Sequence, residues 1–93
     1  MSLASQALAK SGTNPDAKGP DGLTPRQRFF AGNAFSWCTN IRPERARQQI
    51  QTNPHSLDKY RVNYVLSNNE AFRQAFACPA GKPMVRANPC RVW

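Results

Sequence analysis

Proline constrains this chain more than any other residue. Eight prolines stand among 93 residues. Each removes a backbone donor, fixes its own φ and pushes the preceding residue out of the helical region. Only short elements fit between them. Thr24-Pro25-Arg26-Gln27 reads as a helix start: Thr24 caps, Pro25 suits the first helical position, and Gln27 at the third completes a capping box. Pro43 opens a second helix to about Thr52, and Asn53-Pro54 closes it.

The helix from Pro25 to about Asn40 carries Phe29, Phe30, Asn33, Ala34, Trp37, Cys38 and Ile41 near one face, the spacing of an apolar stripe meant for a core. In the second helix Ala46 and Ile50 face inward. Residues 1–9 read as the end of a helix, residues 10–23 as a loop, and His55 to Lys59 as another loop. Tyr60 to Val65 alternates weakly and is rich in aromatic and β-branched residues, which predicts a short extended segment. Ser67-Asn68-Asn69-Glu70 reads as a capping box before a helix bearing Phe72, Ala75 and Phe76. Residues 79–93 hold three prolines and a glycine and are irregular, and the apolar terminal Trp93 is expected to dock. The expected class is mainly α: a small helical segment with one short extended stretch and an irregular C-terminal tail.

Thirteen Lys and Arg against five Asp and Glu give a net charge of +8. A small basic module that binds nucleic acid or an acidic partner is the alternative this charge suggests. The arginines are scattered, however, with Arg42, Arg45 and Arg47 the densest group, and no nucleic-acid motif accompanies them, so no nucleic-acid partner is expected. No window approaches a membrane span, and the first residues lack the basic and apolar regions of a signal peptide. The cysteines, Cys38, Cys78 and Cys90, are odd in number. That leaves open a bridge out of the chain, a free thiol, inert burial, or a Cys3His zinc site with the single histidine.

That histidine, His55, follows the rigid Asn53-Pro54 bend, and Arg61 lies six residues on. An imidazole donor and a forked guanidinium aimed at one place suit an oxyanion or a carboxylate. The plain alternative is a surface or capping histidine and an ion-paired arginine. No carboxylate pair, nucleophile triad or metal cluster stands beside them, so the chain cannot complete a hydrolytic site alone.

Several words, taken in order, resemble the C-terminal end of the catalytic domain of the neprilysin family of zinc metallopeptidases, which includes endothelin-converting enzymes and bacterial oligopeptidases. They are Gly22-Leu23-Thr24-Pro25-Arg26-Gln27-Arg28-Phe29-Phe30, Ala34-Phe35-Ser36-Trp37-Cys38, Asn53-Pro54-His55-Ser56, Tyr60-Arg61-Val62-Asn63, Ser67-Asn68-Asn69-Glu70-Ala71-Phe72, Ala75-Phe76 and Cys90-Arg91-Val92-Trp93. Residues 4–9 also look like the helix just downstream of the family's third zinc ligand.

The resemblance implies that residues 24–93 are the C-terminal segment of a peptidase-like catalytic domain, preceded by a helix end and flexible loop over 1–23. It implies that His55 is catalytic, donating to the tetrahedral oxyanion, and that Arg61 binds a substrate carbonyl on the primed side. It further implies that Cys38, Cys78 and Cys90 bridge to cysteines outside this chain, in an extracytoplasmic and oxidising setting. The partners would then be a peptide substrate and the missing N-terminal portion of the peptidase, and the cofactor a zinc ion of the full-length enzyme. The family's H-E-x-x-H ligands and general base have no counterpart here. The isolated chain is therefore expected to bind no zinc and to cleave no peptide. Metal analysis and a quenched fluorescent peptide check both, and stoichiometric zinc with turnover would overturn the expectation.

Overall fold

In the computed structural model, which describes residues 2–90, the chain forms α1 (Ser2–Lys10), α2 (Pro25–Ser36), α3 (Pro43–Thr52), α4 (Asp58–Ser67) and α5 (Glu70–Ala75). There is no strand among the described residues. The mainly helical class stands. Trp93 lies outside the described residues.

The start of α2 follows from its sequence. The Thr24 hydroxyl accepts from the Gln27 N–H at 3.2 Å, and the Gln27 carboxamide oxygen accepts from the Thr24 N–H at 3.1 Å. The other end of the same carboxamide donates to the Ala75 carbonyl at 2.9 Å. One side chain thus caps α2 and ties it to the last residue of α5. The helix stops at Ser36, four residues short of the expected Asn40. Ser36 donates its hydroxyl back to the Asn33 carbonyl at 2.7 Å, a local bond that competes with helix propagation.

Before α2, the Arg28 guanidinium grips both carboxylate oxygens of Asp21, at 2.8 and 3.1 Å. Asp21 sits in a turn from Gly19 to Gly22, closed by the Gly22 N–H on the Gly19 carbonyl at 2.9 Å. Gly22 adopts φ +75°, a conformation glycine takes without steric cost. The stripe on α2 is only partly core. Phe30 is 2% exposed and Phe29 and Ala34 pack against it, whereas Trp37 and Ile41 lie past the helix end and stay open to solvent. Ile50 of α3 is 67% exposed, not inward as expected, and α3 buries no residue.

The segment expected to be extended is α4. A strand over 60–66 would align Tyr60, Val62, Tyr64 and Leu66, but it needs a neighbouring strand for its backbone, and the described chain supplies none. A helix bonds its backbone internally and still places Val62 and Leu66 one turn apart on a single face. Both are buried, at 8% and 3% exposure, and join Phe30 as the core. Each such burial contributes about 1.5–3 kcal/mol, which outweighs the few tenths that β-branched residues cost a helix. Tyr60 and Tyr64 then stack on the outer face, 5.4 Å apart.

The cap of α5 is Asn69, not Ser67. Its side-chain oxygen accepts from the Phe72 N–H at 3.0 Å, while Ser67 ends α4 and donates to the Tyr64 carbonyl. The asparagine next to Glu70 outcompeted the Ser-x-x-Glu pattern. The C-terminus of α5 is a Schellman motif: Ala77 N–H bonds the Gln74 carbonyl and Cys78 N–H bonds that of Arg73. The tail returns to the end of α4, through Arg86 N–H on the Ser67 carbonyl at 3.1 Å and Cys90 N–H on the Asn68 side chain at 2.8 Å.

Two predictions follow from these ends. Ala77 holds φ +49°, where an L side chain crowds its own backbone. Ala77→Gly should stabilise the chain by about 1 kcal/mol in urea unfolding followed by circular dichroism, and a lowered midpoint would contradict this. The Arg28 hydrogen bond, reinforced by the Leu23 N–H, lowers the Asp21 carboxyl from its ordinary 3.8 to about 2. A folded-state value below the unfolded one stabilises above about pH 4, and that stability is lost as pH falls toward 2. Carbon-13 titration of Asp21 should show the low midpoint in the wild type and an ordinary one in Arg28→Gln. An unchanged midpoint would remove Arg28 as the cause.

Candidate functional site

The suspected residues occupy the junction between α3 and α4. Asn53 caps α3 with its backbone N–H on the Gln49 carbonyl at 2.9 Å. Its side-chain oxygen accepts from the His55 N–H, also at 2.9 Å. This Asx turn bridges Pro54, so the rigid bend expected there exists and fixes the backbone that carries His55. His55 is exposed, and its imidazole has no hydrogen-bond partner among the described residues. Leu57 then opens α4 without a side-chain cap, its carbonyl accepting from the Tyr60 and Arg61 N–H groups at 3.0 and 3.2 Å.

Arg61 therefore leaves the first turn of α4. Its side chain is half-buried, and its guanidinium carbon lies 4.2 Å from the centre of the Trp37 ring. The ion pairs among the described residues are Arg28–Asp21 and Arg73–Glu70. Arg61 belongs to neither, and no side-chain hydrogen bond occupies its donors. No hydrogen bond or ion pair joins His55 to Arg61.

Trp37 also lines an open groove of about 480 Å³, shared with Ala34, Cys38, Ile41, Leu57 and Val62. The groove exists because α2 ends at Ser36 and the chain runs open to Pro43 before α3 begins. Trp37 is the residue that sequence reasoning missed. Its helical spacing assigned it to the core, and only its place beyond the last helical turn, beside Cys38, marked it as different.

Cys38 and Cys90 are exposed and Cys78 is half-buried, all three as free thiols. Among the described residues no three His, Cys, Asp or Glu side chains lie close enough together to hold a metal ion. The Cys3His combination that arithmetic permits is not assembled, and these side chains offer zinc no donor set. No described helix is long and apolar enough to cross a membrane.

A helical segment with a thin core, presenting an arginine outside any ion pair and an open groove, is part of a larger domain. Residues 1–92 match the model for Peptidase family M13, and the chain belongs to that family. Neprilysin-1 of Caenorhabditis elegans is 45% identical over 73 residues, which cover 78% of this chain and 10% of the relative. Endothelin-converting enzyme 1 of Homo sapiens is 43% identical over 72 residues, covering 77% and 9%. Membrane metallo-endopeptidase-like 1 of Mus musculus is 48% identical over 71 residues, covering 76% and 9%. The chain thus spans about a tenth of the length of the curated relatives it matches.

Proposed function

We propose that this chain is the C-terminal, substrate-side part of a neprilysin-like zinc metalloendopeptidase. The observation that carries this reading is membership of Peptidase family M13 over residues 1–92. Within that frame His55 is the catalytic residue of the segment. Its imidazole donates a hydrogen bond to the oxyanion that forms when water adds to the peptide carbonyl. Arg61 binds a substrate carbonyl on the primed side and sets the position of the scissile bond. The free donors of Arg61 and the exposed imidazole of His55 support these roles: a donor already committed to a protein acceptor has less to offer a ligand. Zinc supplies the Lewis acid and activates the water in such enzymes, and its ligands would come from outside this chain.

The remaining assignments follow from the same reading. Residues 1–23 are the helix end and loop that lead into the segment 24–93. Cys38, Cys78 and Cys90 pair with cysteines elsewhere in the whole protein, which sets it in an extracytoplasmic, oxidising compartment.

The test is made in the full-length peptidase that bears this segment. His55→Ala should lower kcat by roughly 10²–10³ with KM little changed. Arg61→Ala should raise KM roughly tenfold or more, the scale of a lost charged hydrogen bond. Both variants should retain bound zinc. Loss of zinc in both, in step with activity, would show that the two residues only maintain structure.

A further inference from the structure

We infer that Trp37 is the positioning residue for Arg61: its indole face holds the guanidinium in place while leaving the N–H donors open to a substrate carbonyl. The inference rests on the role proposed above for Arg61 and adds a residue to it. The geometry is a guanidinium carbon 4.2 Å from the ring centre, between residues 24 positions apart on different helical units.

Three arginines among the described residues make the contrast. Arg28 is spent on Asp21, with Nε and Nη2 both bonded to the carboxylate. Arg73 pairs with Glu70 and donates to the Cys78 carbonyl at 3.3 Å. Arg61 has neither carboxylate nor carbonyl, although Asp58 stands one turn earlier on the same helix. A carboxylate would fix the side chain but occupy two donors and cancel the charge. An aromatic face attracts the cation through its quadrupole and accepts none of the in-plane N–H groups. The arrangement suits an arginine that must be ordered yet still electropositive.

Both ends of the contact are anchored. Trp37 caps α2, its N–H on the Ala34 carbonyl at 3.2 Å, and Cys38 N–H bonds the Phe35 carbonyl at 3.0 Å. Arg61 adjoins Val62, which packs in the core with Phe30 of α2. The core that joins α2 to α4 therefore also sets the distance from Trp37 to Arg61. An arginine side chain loses about 2 kcal/mol of rotamer entropy when ordered, and the indole contact meets part of that before substrate arrives. The Arg86–Tyr64 pair is looser, at 5.7 Å.

The experiment uses the full-length peptidase bearing this segment and a peptide substrate. Trp37→Leu should raise KM roughly three- to thirtyfold, the span of cation–π strengths, with kcat within about twofold. Trp37→Phe should recover most of the loss. The double variant Trp37→Leu with Arg61→Ala should be no worse than Arg61→Ala alone, since coupled residues are non-additive. Site-specific fluorinated tryptophans at position 37 keep the indole shape while weakening its quadrupole. KM should climb with each added fluorine, and should not when Arg61 is alanine. Additive effects of the two substitutions, or indifference to fluorination, would overturn the inference while leaving Arg61 its role. No KM change in Arg61→Ala would instead overturn the proposed role of Arg61, and this inference with it.

Discussion

Phe30 holds the described structure together. It is 2% exposed, meets Phe29 edge-on at 5.1 Å and Phe72 edge-on at 5.5 Å, and packs with Val62 and Leu66. Three helices therefore converge on one aromatic ring. Edge-to-face pairs add about 0.5–1.5 kcal/mol each beyond the area they bury, so this ring is both the centre of the core and its most specific contact. The Gln27 side chain reinforces the same junction from outside, capping α2 while bonded to α5.

That junction is small for the length of chain it organises. The accessible surface is 7245 Å², against about 5,400 Å² for a compact monomer of this mass. The radius of gyration is 15.2 Å, against about 12 Å for a compact domain of this length. Phe35 is 82% exposed, Ile50 67% and Leu3 65%. Large apolar side chains left in water at this frequency are what a segment shows when most of its packing surface belongs to other parts of a domain. A chain spanning a tenth of its relatives' length meets that description.

How legible this was in the sequence depended on whether the signal was local. The start of α2 was legible because a capping box is complete within four residues, and so was the start of α3, where a proline sets φ. Tyr60 to Val65 was not. Its alternation fits a strand as well as a helix, and the decision came from outside the segment: no strand stands ready to pair with it, while Phe30 waits to receive Val62 and Leu66. Ser67 and Asn69 show the same limit at the scale of one cap, since both are good N-cap residues and only the α4 boundary chose between them. Membership of the peptidase family was legible because it rests on ordered words, which survive such local errors. His55 and Arg61 stand out from the residues themselves, as a donor pair after the Asn53-Pro54 bend, and the words add the roles they imply. What the words could not convey was that Arg61 lies on an indole ring.

The contact between Trp37 and Arg61 links the core to the surface. Val62 points into the core and Arg61, its neighbour, points out of it. Phe30 and Trp37 lie seven residues apart, so Trp37 continues the core face of α2 just past its last turn. The packing that buries Phe30 against Val62 therefore leaves little freedom for the aromatic and cationic pair above it. In this segment the thin core and the candidate site are not separate features. Four residues on two helical units serve both, and the short interval from Phe30 to Trp37 sets the register between them.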